Sequence, residues 1–142
     1  MSKGTPQADG TIINQTRYCE NAGSTHHPSQ TAYALAIDFN LMPEETMAQT
    51  THYFVESIHR RDNHLSVGFL GISHLLPALT KCGQNELAFT KLEQKGNPGW
   101  LYSVINGATT IWERWNSYIA ETGTFGDVSM NSFNHYAYGS IG

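Results

Sequence analysis

Pro43-Glu44-Glu45-Thr46-Met47-Ala48-Gln49-Thr50-Thr51-His52-Tyr53-Phe54-Val55-Glu56-Ser57-Ile58-His59-Arg60-Arg61 reads as an amphipathic helix from end to end. Pro43 suits a first helical turn, where a missing N–H is tolerated and φ is already set. Glu44 and Glu45 sit at the positive end of the helix dipole, and Arg60 and Arg61 at the negative end. Between them Met47, Thr51, Phe54, Val55 and Ile58 recur at helical spacing.

The pattern continues outward on both sides. Upstream, Ser29 can cap a helix with apolar positions Ala32, Tyr33, Leu35, Ala36 and Phe39, and Asn40-Leu41-Met42 makes a short connection. Downstream, Asn63 to Gly71 breaks the periodicity, and Gly68 and Gly71 around Phe69-Leu70 predict a tight, partly extended loop. Ile72, Leu75, Leu76 and Leu79 form the next stripe. Pro77 is expected to bend that helix or lie in its first turn, and Gly83 to end it. Asn85 can cap a further helix carrying Leu87, Ala88 and Leu92 and stopped by Gly96. Asn97-Pro98-Gly99 is a turn, followed by a short helical or irregular segment from Trp100 to Ile105. Thr110 to Trp115 is predicted helical, and Phe133 to Ile141 is predicted to begin another helix. The periodicity therefore predicts an all-α fold of antiparallel helical hairpins on residues 29–142, with long polar loops at one end. Residues 1–28 are polar and glycine-dotted and read as a leading loop or poorly ordered arm.

Composition narrows the function. The 142 residues make one domain, and a hydrophobic content of 39% supplies a core. The net charge is −4, and eight Lys and Arg are dispersed with no run beyond Arg60-Arg61, which argues against a nucleic-acid partner. No apolar stretch approaches the length of a membrane span, so no membrane partner is expected. The N-terminus lacks the apolar core of a secretory signal, and cytoplasmic location is the default expectation. Cys19 and Cys82 do not make a disulfide framework, and Cys82 reads as a buried thiol. His26-His27, His52 and His59 read as surface histidines. His52 and His59 lie two turns apart, and no Cys or Asp completes a tetrahedral set, so neither a metal nor another cofactor is expected.

The chemistry concentrates in two stretches. Gly107-Ala108-Thr109-Thr110-Ile111-Trp112-Glu113-Arg114-Trp115 places a carboxylate between two tryptophans and beside an arginine. An indole offers a flat apolar face to the C–H surface of a sugar, and a carboxylate can accept hydroxyl hydrogen bonds or activate water. Asn131-Ser132-Phe133-Asn134-His135-Tyr136-Ala137-Tyr138-Gly139 is equally rich in polar and aromatic groups. On spacing alone, Glu113 is an exposed helix carboxylate paired with Arg114 or a lysine. The flanking indoles favour a sugar site. If that segment is helical, Trp112 and Trp115 point to different faces, so one at most reaches a sugar and the other packs in the core. Arg114 either orients Glu113 or forms a structural salt bridge. Trp100, after a Pro-Gly turn, is a candidate platform on the rim or a buried packing residue, and Phe69 has the same two readings.

These two stretches closely resemble the C-terminal part of the catalytic domain of bacterial α-L-rhamnosidases. The Trp112-Glu113-Arg114-Trp115 and Asn134-His135-Tyr136-Ala137-Tyr138-Gly139 elements, in that order, carry the resemblance. Thr31 to Ala36, Gly68 to Gly71 and Leu75 to Leu79 occur in the order the family shows. The likeness runs from about Ser29 to Gly142. It implies that the helical hairpins are part of an (α/α)6 toroid, about half a ring. It also implies that Glu113 is the general base of an inverting glycosidase that cleaves terminal α-L-rhamnose from rhamnosides. His135 would bind rhamnose hydroxyls with Asn134 in support. By residue type, the further candidates for substrate binding are one of Trp112 and Trp115, with Arg114 and Trp100.

The family's general acid comes from an Asp/Arg/Glu-containing motif well upstream followed by Gly-Trp, and no such motif occurs here. The chain is thus expected to be a fragment carrying the general-base half, inactive alone, which self-associates or pairs with a complementing N-terminal half. Two other readings stand beside this one: a non-catalytic helical carbohydrate-binding or interaction module, and a different (α/α)6 glycosidase.

Overall fold

A computed structural model describes residues 5–6, 12–13 and 29–141. Thr5–Pro6 (β1) and Ile12–Ile13 (β2) form a minimal antiparallel pair, and the remainder of the predicted arm, with Cys19 and His26-His27, lies outside the described residues.

The helical part opens at Ser29. Its Oγ accepts from the Ala32 N–H at 3.2 Å and starts helix α1, Gln30–Asp38. Tyr33, Ala34, Ala36 and Ile37 are buried, whereas Phe39 lies outside against His74, with ring centroids 4.9 Å apart. Asn40 adopts a left-handed φ of 53° and closes α1 with paired bonds, Asn40 N–H to Ile37 O and Leu41 N–H to Ala36 O. One 3₁₀ turn, Glu44–Thr46, leads into α2, Met47–His59, so Pro43 stands just before the helix and the two glutamates in its approach. Thr50, Phe54 and Ile58 form the buried stripe of α2, and Phe54 meets Tyr33 with centroids 5.9 Å apart.

Helix α3, Phe69–Lys81, begins at the residue the sequence pattern assigned to a loop. Gly68 is extended and its carbonyl accepts from Gly71 and Ile72, so the first turn includes Phe69-Leu70-Gly71. Gly71 is where α1 and α3 touch: a Cβ there would stand 2.7 Å from Thr31 Oγ1. Pro77 lies inside α3, where the flanking turns and the buried residues Leu75, Ala78 and Leu79 hold it in the helix. At the far end Asp38 accepts from His74 Nδ1 at 2.6 Å and pairs with Lys81 Nζ at 2.9 Å. Lys81 and His74 together hold the Asp38 carboxyl below its ordinary pKa.

Gly83, with φ +72°, ends α3. Gly83 N–H donates to Thr80 O and Gln84 N–H to Leu79 O, and the chain turns into α4, Asn85–Leu92. Leu87, Ala88 and, unexpectedly, Lys91 are its buried residues. Helix α5, Trp100–Ile105, ends the same way at Gly107, where Ala108 N–H reaches Ser103 O.

Beyond α5 the predicted helices do not form. Thr110 to Trp115 is irregular, and Phe133 to Ile141 contains only a 3₁₀ turn, Tyr136–Gly139. The β-branched run Thr109-Thr110-Ile111 disfavours helix re-entry after the Gly107 cap, and the backbone groups of both segments are engaged with each other. A small hairpin, Tyr118–Ile119 (β3) with Thr124–Phe125 (β4), and a 3₁₀ turn at Val128–Met130 fill the connection.

Candidate functional site

The two aromatic stretches, nineteen residues apart at Glu113 and Ser132, lie side by side. Glu113 N–H donates to Ser132 O at 2.9 Å, and His135 N–H donates to Ile111 O at 2.9 Å. Ser132 N–H returns a 2.7 Å bond to Glu113 Oε2, and the Thr110 hydroxyl donates to Phe133 O. The Glu113 side chain is therefore oriented by the backbone of the second stretch, at a partly exposed position.

His135 stands at the start of the Tyr136–Gly139 turn. Its Nδ1 accepts from the Ala137 N–H at 3.4 Å. An accepting Nδ1 places the proton of the neutral ring on Nε2, which leaves Nε2–H as the donor for a ligand. The imidazole stacks on Phe69, centroids 4.9 Å apart and 10° from parallel, so the first residue of α3 sets its plane. Asn134 is exposed, and its N–H bonds Ser132 Oγ at 3.1 Å.

The two indoles beside Glu113 go to separate aromatic groups. Trp112 is 7% exposed and meets Phe133 and Tyr118 edge-on. Trp115 stacks on Tyr138 at 3.9 Å and 13°, and its Nε1–H donates to Val67 O at 3.0 Å. Trp100 is buried, edge-on to Trp115, and its Nε1–H donates to Tyr138 O at 2.6 Å. The division of the indoles thus comes from an irregular backbone rather than from two faces of a helix. Arg114 is half-buried and lines an apolar cavity of about 410 Å³ with Trp112, Trp115, Tyr138, Ile111 and Val104. Burial raises the Tyr138 phenol, an effect the Arg114 charge partly offsets. Cys82 is only half-buried and accepts from the Thr51 hydroxyl at 3.2 Å. His52 and His59 are exposed.

Sequence reasoning missed the supports behind this arrangement. Lys91 is fully buried and, among the described residues, has no carboxylate paired with it. Its Nζ donates to His64 O at 3.1 Å, Asn63 O at 3.3 Å and Gln30 Oε1 at 3.3 Å. A signal existed: Lys91 lies four residues after Leu87 and three after Ala88, on the apolar stripe of α4. Burial pushes its pKa from 10.5 to about 7.

The comparisons with known proteins bear on this geometry. Residues 11–142 match the bacterial alpha-L-rhamnosidase 6 hairpin glycosidase domain. An alpha-L-rhamnosidase of Streptomyces avermitilis is 44% identical over 128 residues, which are 90% of this chain and 12% of that protein. One from Formosa agariphila is 46% identical over 114 residues, 80% of this chain and 12% of its own length. Among solved structures, the Streptomyces avermitilis alpha-L-rhamnosidase complexed with L-rhamnose superposes with a TM-score of 0.76 at 45% identity, covering 79% of this chain and 11% of that one. The alpha-L-rhamnosidase from Aspergillus terreus gives 0.79 at 33% identity over 95% of this chain and 14% of its own. The chain thus spans about an eighth of the length of these relatives. Its helices, with four minimal strands among the described residues, agree with the expected all-α piece of an (α/α)6 toroid built from helical hairpins. The chain belongs to the bacterial alpha-L-rhamnosidase 6 hairpin glycosidase domain family.

Proposed function

We propose that this chain carries the general-base half of an inverting α-L-rhamnosidase site, with a rhamnose-containing glycoside as substrate. The observation that carries the reading is the shared frame of Glu113 and His135: both residues are bonded through their backbones across the same pair of segments. A base and a hydroxyl-binding donor built on one frame keep a fixed relation to a sugar, which is what positioning catalysis requires. The relative solved with L-rhamnose supplies the sugar.

In this mechanism Glu113 takes a proton from a water that attacks the anomeric carbon on the face opposite the leaving group. A second carboxyl protonates the departing oxygen. The two carboxyls of an inverting pair stand roughly 6.5–9.5 Å apart so that the water fits. The Ser132 N–H holds the Glu113 carboxylate in place through Oε2. His135 holds a rhamnose hydroxyl through Nε2–H, with Asn134 alongside, while Trp115 and Tyr138 stiffen the wall beneath. The acid comes from a complementing N-terminal part, and Arg114 is the site's fixed positive charge.

The test is Glu113→Gln in a protein completed with the upstream acid motif. The amide keeps the shape and loses the base. General-base contributions are of order 10²–10⁴ in rate, so kcat falls by about that factor while KM changes little. Azide, a nucleophile that needs no base, restores turnover in part and yields the glycosyl azide of inverted configuration. A near-normal kcat would make Glu113 a structural carboxylate and end this reading.

A further inference from the structure

The segment from Asp62 to Val67 joins α2 to α3 and delivers Phe69 beneath His135. Its first residues donate within their own turn, Asp62 N–H to His59 O, Asn63 N–H to Ile58 O and His64 N–H to Arg61 O, while its carbonyls and its far half are bonded from outside. Asp62 and Asn63 are consecutive non-glycine residues with left-handed φ of 49° and 62°. Aspartate and asparagine tolerate that region better than other side chains, but each still sits above its preferred conformation. Outside groups add to these turn bonds by engaging the carbonyls that the turn leaves over. Gln94 Nε2 donates to Asp62 O at 3.3 Å, and Lys91 Nζ donates to Asn63 O and His64 O. Gln30, also buried, works from the other side. Its Nε2 donates to His64 O at 3.2 Å, and its Oε1 accepts from Ser66 N–H at 3.1 Å and from Lys91 Nζ. Leu65 N–H reaches Pro98 O at 3.4 Å.

The far end of the same segment touches the candidate site twice. Val67 O receives the Trp115 indole N–H, and Phe69 stacks on His135 and tilts against Tyr138, with centroids 5.0 Å apart. A lysine, a glutamine and a bent connection therefore stand in series behind the imidazole and the indole. A buried ammonium is an expensive way to hold a loop, since burying the charge without a counter-ion is unfavourable. An apolar side chain at position 91 would fill the stripe of α4 at lower cost but would supply no donors.

We propose that Lys91 and Gln30 form a clamp whose role is to position the 62–67 segment, and through it His135 and Trp115, for sugar binding. They are positioning residues that touch no ligand. The binding role of His135 rests on the reading given above, whereas the clamp itself rests on the bonds just described.

The test uses the whole chain. Lys91→Met keeps the apolar stem and removes the three donors. Leu79→Val, a core change in α3 away from the clamp, controls for general loss of stability. Two readouts are compared under conditions where both variants keep native helicity: the ¹H–¹⁵N resonance and solvent exchange of the Trp115 indole N–H, and the affinity for free L-rhamnose. In Lys91→Met the indole resonance should move, its exchange should quicken about tenfold, and the L-rhamnose Kd should rise about tenfold. Leu79→Val should leave both at the wild-type value. An unmoved Trp115 indole in folded Lys91→Met overturns the clamp, as does an equal response in Leu79→Val. If Lys91→Met does not fold, Gln30→Ala carries the same test, because it removes both Gln30 bonds to the segment and keeps the amine. If the wild-type chain binds no L-rhamnose, the reading of the site falls, and the indole readout alone decides the clamp.

Discussion

Glu113 and Ser132 are bonded in both directions: the Glu113 N–H donates to the Ser132 carbonyl, and the Ser132 N–H donates to Glu113 Oε2. The candidate base is therefore part of the seam that joins the two aromatic stretches. Removing it has a structural effect that must be separated from any catalytic one.

Glu113→Gln and Glu113→Ala separate the two. Glutamine keeps an acceptor for Ser132 N–H, so its stability should lie within about 0.5 kcal/mol of wild type, the range of a mild surface change. Alanine leaves that N–H to water and loses a charge-assisted bond, at a cost of about 1 kcal/mol at this partly exposed position. Urea unfolding of the two variants measures the difference. Equal loss in both would mean that the charge, not the acceptor, holds the seam.

Contact between α1 and α3 at Gly71 gives a second expectation. A methyl group there meets the Thr31 side chain at 2.7 to 3.1 Å. Gly71→Ala should destabilise by about 1–3 kcal/mol, as overpacking of a tight contact does. Thr31→Ala opens the space, so the double variant should recover much of the loss, a coupling of about 1 kcal/mol or more in a double-mutant cycle. Additive effects would place the strain elsewhere.

The helices were legible in the sequence because their signals are local. Helical spacing marked α2, Ser29 announced α1, and Gly83 announced the end of α3, each through a bond within a few residues. The irregular parts were not legible because their partners are distant in sequence. Ile111 and Glu113 satisfy their backbones with His135 and Ser132, so an apolar, polar and aromatic run that looks helical by itself is drawn out of a helix. Asn40, read as the start of a short connection, does end α1, with the left-handed φ that glycine supplies at the end of α3. At the site, Glu113 and His135 could be picked out by residue type and by family resemblance. The Nδ1 bond of His135 and its stack on Phe69 could not, since both depend on where separate segments meet. Lys91 was passed over because a lysine is ordinarily read as solvent-facing.

A third expectation concerns association. Val104 and Ile105 on α5 are 58% and 61% exposed, and Val104 and Ile111 border the apolar cavity beside Arg114. Contiguous apolar surface of this kind drives contact between copies. The chain should show a concentration-dependent sedimentation coefficient, and Val104→Ser with Ile105→Ser should reduce that dependence. A monomer at every concentration would count against it.

The last expectation follows from Lys91. Its folded pKa of about 7 lies below the ordinary 10.5 because burial disfavours the charge. Below about pH 7 the folded and unfolded chains both carry the proton, and this residue makes no pH-dependent contribution. Between about pH 7 and pH 10.5 the unfolded chain holds a proton that the folded chain has released. The unfolded state then binds more protons, so stability rises with pH, by at most about 1.4 kcal/mol per pH unit for a single group. Other groups titrate in the same range, but Lys91→Met shares them and lacks only the amine. The stability of wild type relative to Lys91→Met should thus be flat at acidic pH and should grow in favour of wild type from about pH 7 to about pH 9. Urea midpoints of the two proteins across that range check the sign. A difference that stays constant, or that shrinks as pH rises, would show that the three hydrogen bonds to Gln30, Asn63 and His64 outweigh burial and keep the amine charged.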